Sequence, residues 1–147
     1  MASKLELPNL LIVGAAKSGT TSLHNYLKQH PQIFMSAHKE PHFLINSEIG
    51  ENRIHKAVLK FDDYKQMFKT QKNYLFKGES SVMYLAYPQY SIKNIKKYLS
   101  STVKIIIMLR NPIERAYAGY LHNVRYNPLE NLSFEEAIAN SEERYKN

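Results

Sequence analysis

Apolar residues along this chain fall into short runs and helical stripes separated by polar punctuation. Leu10-Leu11-Ile12-Val13 is a continuous apolar run closed by Gly14, the pattern of a buried strand. Gly19 through Gln29 then reads as a helix, with Leu23 and Leu27 on one face and His30-Pro31 as its stop. Gln32–Met35 fits a short strand. Residues 36–60 are mixed and polar, broken by Pro41 and Gly50, and read as loop with room for a short helix. Phe61 to Lys69 is predicted helical, with Phe61, Tyr64 and Phe68 as its stripe. Tyr74-Leu75-Phe76 is a candidate strand leading into Gly78-Glu79-Ser80.

Pro88 suits the first turn of a helix reaching about Ser100, with Ile92, Ile95 and Leu99 facing inward. Val103 to Leu109 is the strongest strand pattern, β-branched and ended by Arg110-Asn111-Pro112. Asn111 is a good N-cap and Pro112 a good first residue for the next helix. Its stripe is Ile113, Ala116, Tyr117, Tyr120, Leu121 and Val124. Ser133-Phe-Glu-Glu136 is a capping-box pattern opening a final helix that runs into the end without a stop signal. Strands alternating with helices predict an α/β fold with a parallel sheet covered on both faces. Residues 1–147 read as a single domain. Only three or four strands are visible and such sheets usually continue, so the chain is expected to be a fragment, truncated at its carboxy-terminal end.

Composition narrows the picture. Hydrophobic residues make up 44% of the 147 positions, which suits a folded core. There is no cysteine, which excludes a disulfide framework and thiolate chemistry. Lys and Arg number 20 against 13 Asp and Glu, a net charge of +7, which points to an anionic partner or to plain solubility. The lysines are scattered from Lys4 to Lys146 without a basic run, so a small anionic ligand is favoured and no nucleic-acid partner is expected. No segment reaches the ~20 apolar residues of a membrane span, and Met1–Pro8 lacks the apolar core of a secretory signal. A cytoplasmic location is the expectation from these features.

The most informative segment is Gly14-Ala-Ala-Lys-Ser-Gly-Thr-Thr-Ser22, between a buried strand and a helix. In that setting backbone N–H groups and a helix N-terminus bind phosphate. Gly14 and Gly19 have the spacing of the nucleotide-triphosphate loop G-x-x-x-x-G-K-[ST], and Thr21 fills its last position. Thr20 stands where that loop has its Lys, and Lys17 lies inside the loop instead. The displaced Lys suggests a different anion with fewer charges to neutralise, and no metal is expected. Ser18, Gly19, Thr20, Thr21 and Ser22 supply hydroxyl and N–H donors. A second cation, Arg110, is delivered by the strand ending at Leu109 to the edge where open α/β sheets bind ligands. Its structural alternative is an ion pair with Glu114.

These segments together resemble the sulfotransferases that use 3′-phosphoadenosine 5′-phosphosulfate (PAPS), in particular the group of heparan sulfate sulfotransferases and bacterial relatives. Five motifs carry the likeness in order: Lys17-Ser-Gly-Thr-Thr21, His30-Pro31, Lys39-Glu-Pro-His-Phe43, Gly78-Glu-Ser-Ser-Val-Met-Tyr84 and Leu109-Arg-Asn-Pro-Ile-Glu-Arg-Ala-Tyr117. It covers about residues 9 to 140. The resemblance implies a P-loop-type three-layer sandwich and transfer of a sulfuryl group from PAPS to a hydroxyl or amine, with carbohydrate among the candidate acceptors. It also implies roles: Lys17 at the bridging oxygen, Gly19 to Ser22 at the 5′-phosphate, Arg110 at the 3′-phosphate and Glu40 as general base. Two positions depart from the pattern. Ala118 replaces a Ser that shares the 3′-phosphate, and Ser80 follows Glu79 where heparan-type members have Lys.

His42 rivals Glu40 as the base, because its natural pKa suits proton transfer near neutrality. His38 is a weaker candidate. Tyr84, Tyr87 and Tyr90 could stack on a sugar, with core packing as their other use. Two other functions stay open at this point: a P-loop nucleotide kinase or NTPase, and a non-catalytic nucleotide-binding fragment.

Overall fold

The computed structural model describes residues 7–50, 54, 56–126 and 130–146. The first six positions, part of the stretch read for a secretory signal, lie outside the described residues. In chain order the elements are β1 (Leu10–Gly14), α1 (Thr20–Lys28), β2 (Ile33–Met35), α2 (Asn46–Ile49), α3 (Phe61–Gln66), β3 (Phe76–Ser80), α4 (Met83–Ala86), α5 (Pro88–Tyr98), β4 (Lys104–Ile107), α6 (Pro112–Tyr126), α7 (Phe134–Ala139) and α8 (Ser141–Lys146). They divide into two compact units, Met1–Leu109 and Arg110–Asn147.

The first unit holds a four-stranded sheet in the order β2-β3-β1-β4, parallel at every pairing. Its fold is α/β. The β1 run is buried along its whole length because it is flanked on both sides, by β3 and β4. Its side chains alternate between two apolar clusters. Leu10 and Ile12 pack with Met35, Leu23, Leu27 and Ile106, so α1 covers one face. Leu11 and Val13 pack with Phe43, Leu44, Ile45, Tyr64, Phe68, Tyr84, Ile95 and Leu99, contributed by the 43–45 loop, α3, α4 and α5 and their flanks. These are the two helical layers that the strand–helix alternation predicts. Because the strands are parallel, the C-terminal ends of β1, β3 and β4 meet at one edge.

The structure corrects several expectations. The third strand is Phe76–Ser80, not Tyr74–Phe76, and Leu75 is exposed. Its residues Lys77, Glu79 and Ser80 are buried polar groups, a pattern that reads as loop in sequence. The inward face of α5 carries Ser91, Asn94 and Ile95, whereas Ile92 points to solvent. Ser91 Oγ donates to Tyr84 O at 2.9 Å and Asn94 Nδ2 donates to Leu44 O at 2.9 Å, so both polar side chains are satisfied inside. The strongest strand pattern forms β4, shorter than the Val103–Leu109 run and paired with β1, with Ile105 and Ile107 each about half exposed. A short helix, α4, lies in a segment without a predicted element.

In the second unit, Asn111 Oδ1 accepts the N–H groups of Ile113 (3.0 Å) and Glu114 (3.3 Å), so the predicted cap of α6 is formed. The α6 stripe holds no buried residue; Ile113, Tyr117, Leu121 and Val124 are exposed. Tyr117 and Tyr120 pack on Phe134 of α7 with ring centroids 5.2 and 5.4 Å apart. Ser133 forms the predicted capping box: its Oγ accepts the Glu136 N–H at 3.3 Å and Glu136 Oε2 accepts the Ser133 N–H at 2.9 Å. The expected single last helix is divided at Asn140 into α7 and α8. No described helix is long and apolar enough to cross a membrane.

Candidate active site

The turn from β1 into α1 is built for close backbone approach. Gly14 has φ 149°, and a Cβ there would lie 2.8 Å from Leu85 Cβ and 3.1 Å from the Val82 carbonyl oxygen. Gly19, the N-cap of α1, has φ 90° and no side chain to cap the helix. The first-turn N–H groups of α1 have no intrahelical acceptors. That turn also carries no acidic residue, so the positive end of the helix is left for an external anion.

The loop residues distribute by burial. Lys17, Thr21 and Ser22 are exposed, Thr20 is buried, and Ser18 is buried with its Oγ lacking a hydrogen-bond partner. A buried unsatisfied hydroxyl beside a row of helix N–H groups is a donor that a phosphate or sulfate oxygen can satisfy. Lys17 holds φ 64°, a conformation that non-glycine residues adopt at a cost.

Glu40 sits beside the C-terminal end of β3. Its N–H donates to Ser80 O at 2.9 Å, and its Oε2 accepts the Val82 N–H at 2.9 Å. Lys39 is ion-paired with Oε1. His42 Nε2 lies 3.3 Å from Oε2 of the same carboxylate. Val82 also lies against the loop, its carbonyl oxygen being 3.1 Å from where a Cβ on Gly14 would stand. Glu40 and the anion loop therefore share one edge of the sheet. Burial pushes the His42 pKa below its usual value, against the opposing pull of the Glu40 carboxylate. A neutral ring whose Nε2–H faces Glu40 leaves Nδ1 as the acceptor, and Nδ1 is buried without a partner. Glu40 and His42 both have positive φ, 61° and 50°. Among the described residues the non-glycine positive-φ positions are Lys17, Glu40, His42 and Lys56, so three of the four are candidate site residues.

Arg110 belongs to the second unit, where its Nε donates to Glu114 Oε2 at 3.1 Å. The ion pair weighed as its structural alternative is thus formed. Tyr84 is fully buried, and Tyr87 and Tyr90 are half-buried against the core.

Comparison with known proteins gives the family. The family model described as "Sulfotransferase domain" matches residues 7–145. The chain belongs to the sulfotransferase family. A sulfotransferase crystal structure from Alicyclobacillus acidocaldarius superposes with a TM-score of 0.85 at 39% identity, over 95% of this chain and 58% of that one. Membrane-associated sulfotransferase kil1 of Dictyostelium discoideum is 33% identical over 90% of this chain, and human carbohydrate sulfotransferase 15 is 25% identical over 79%. The chain spans 27% of the length of each of these two relatives.

Sequence reasoning missed the residues that lie behind the 40–44 loop. Glu79, Ser81, Tyr64 and Tyr84 form a buried hydrogen-bonded cluster behind the 40–44 loop. In sequence the Gly-Glu-Ser-Ser run reads only as one of the five motifs that carry the family likeness. The one available hint was a Glu flanked by residues that also fit a strand.

Proposed function

We propose that this chain carries the donor site and general base of an enzyme that transfers a sulfuryl group from PAPS to a hydroxyl or amine acceptor. The observation that carries the reading is the shared edge, where Glu40 is held by the Val82 N–H while Val82 O abuts Gly14 of the anion loop. The names of two relatives, carbohydrate sulfotransferase 15 and heparan sulfate N-deacetylase/N-sulfotransferase 2, support a carbohydrate acceptor. The family model covers both compact units, which supports reading them as parts of one sulfotransferase domain. Thr20 in place of the P-loop Lys argues against a kinase or NTPase.

PAPS supplies an activated sulfuryl group joined through oxygen to the 5′-phosphate. The N–H groups and hydroxyls of Gly19 to Ser22, with Ser18 Oγ, hold that phosphate. Lys17 places its ammonium at the bridging oxygen and neutralises the charge that builds there as the S–O bond breaks. Arg110 holds the 3′-phosphate, releasing Glu114 to do so. Glu40 takes the acceptor proton as the new bond to sulfur forms. His42 donates Nε2–H to Glu40 and orients the carboxylate, so Glu40 is assigned as the base and His42 as its partner.

The test is transfer of labelled sulfate from PAPS to a panel of desulfated glycosaminoglycans, measured in the full chain. Glu40→Gln should lower kcat by about 10²–10⁴-fold with unchanged nucleotide affinity, and His42→Gln should cost less. A Glu40→Gln protein with wild-type kcat would remove the base assignment.

A further inference from the structure

In the 40–44 loop the His42 and Leu44 amides are bonded to hydroxyls and the Phe43 ring is stacked on that of a third hydroxyl-bearing residue, and all three hydroxyls converge on one carboxylate. Glu79 is fully buried. Its Oε1 accepts Tyr84 Oη–H at 2.7 Å and Tyr64 Oη–H at 3.1 Å, and its Oε2 accepts Ser81 Oγ–H at 2.7 Å. Ser81 Oγ in turn accepts the His42 backbone N–H at 3.1 Å, and Tyr84 Oη accepts the Leu44 N–H at 3.3 Å. The Tyr64 ring stacks on Phe43 with centroids 4.4 Å apart, and Tyr84 meets the His42 ring edge-on at 6.3 Å.

A hydroxyl has one proton. Ser81 and Tyr84 each direct that proton into a hydrogen bond that Glu79 accepts, so the lone pairs of both hydroxyl oxygens are turned toward the His42 and Leu44 amides. An ordinary core carboxylate is costly to bury, and apolar residues could fill the same space. What this one adds is a fixed direction for two acceptors, at a loop whose residues 40 and 42 lie in unfavourable left-handed conformations.

We propose that Glu79 is a positioning residue for sulfuryl transfer, orienting Ser81 and Tyr84 so that they hold the loop bearing Glu40 and His42. The inference rests on the reading of Glu40 as the base. Glu79 touches neither nucleotide nor acceptor in this scheme. Its effect belongs in kcat, not in donor binding.

The test is amide hydrogen exchange by NMR on Glu79→Gln and Ser81→Ala, paired with donor affinity and transfer rate. A Gln side chain keeps the volume of Glu79 but replaces one acceptor oxygen with a donor. In Glu79→Gln the His42 and Leu44 amides should exchange at least about 10-fold faster, while the Leu11 and Ile12 amides of β1 keep their protection. The transfer kcat should fall about 10-fold or more and the PAPS KM should stay within about twofold. Ser81→Ala should expose the His42 amide and leave Leu44 protected, which keeps the test available if Glu79→Gln does not fold. Unchanged His42 and Leu44 protection in both variants would overturn the proposal. So would loss of protection in β1 to the same degree, since that is global destabilisation. Because the exchange arm does not depend on the identity of the base, failure of the Glu40 assignment shows separately, as wild-type kcat in Glu40→Gln.

Discussion

The backbone N–H of Val82 donates to Glu40 Oε2 at 2.9 Å, and the carbonyl oxygen of the same residue would lie 3.1 Å from a Cβ on Gly14. One residue at the start of α4 thus touches both the candidate base and the anion loop. A change in the loop that displaces Val82 is therefore expected to reach Glu40.

Gly14→Ala tests that coupling. The added methyl would meet Leu85 Cβ at 2.8 Å, with φ at 149°, so α4 must shift. The expected destabilisation is about 1–3 kcal/mol, read as a lower urea midpoint with unchanged m-value. The transfer rate should fall further than this loss of stability explains. A variant as stable as the wild type would show that α4 is not packed this tightly on the loop.

Ser18→Ala has two effects of opposite sign. Its Oγ is buried and unpartnered in the free chain, so removing it should raise stability by about 1 kcal/mol. The same change should weaken binding of 3′-phosphoadenosine 5′-phosphate several-fold, because the hydroxyl is then missing when the phosphate arrives. Thermal unfolding with and without the nucleotide reads both quantities. A variant destabilised in the free state would mean that Oγ has an acceptor there.

Glu79 imposes a pH dependence on folding. Burial raises its pKa from 4.5 to about 7, outweighing the hydroxyl bonds from Tyr84, Ser81 and Tyr64 that lower it. Below pH 4.5 the folded and unfolded chains both carry its proton. As pH rises from 4.5 to 7 the unfolded state loses that proton first, so this group's contribution to stability falls, by on the order of 3 kcal/mol in all. His24 and His42 act oppositely, because burial lowers both pKa values and their penalty fades as pH rises toward 6.5. The difference between wild type and Glu79→Gln isolates the carboxylate. Urea unfolding at pH 5, 6 and 7 should show the variant gaining relative to wild type as pH increases, and a constant difference would contradict the buried-carboxylate assignment.

Much of this site is legible in the sequence where a single local rule governs. The β1 run, the Gly14–Ser22 turn, the Asn111 cap and the Ser133 capping box each need only neighbouring residues, and each forms as read. What escapes is set by distant partners. Phe76–Ser80 is a strand in spite of Lys77 and Glu79, because Lys77 Nζ donates to Phe68 O and Glu79 is met by three hydroxyls. Ser91 and Asn94 turn inward on α5 in preference to Ile92, because Tyr84 O and Leu44 O await them. The stripe of α6 is regular, yet a regular stripe does not say what covers it; within its own unit Tyr117 and Tyr120 meet Phe134 of α7.

We propose that the β1–α1 turn holds the 5′-phosphate of the donor nucleotide. Isothermal calorimetry with 3′-phosphoadenosine 5′-phosphate on the wild type, Lys17→Ala and Arg110→Ala tests it most directly. Each substitution removes a charge-assisted contact, so each should weaken binding by about 10- to 100-fold. Equal affinity in all three proteins would contradict the account.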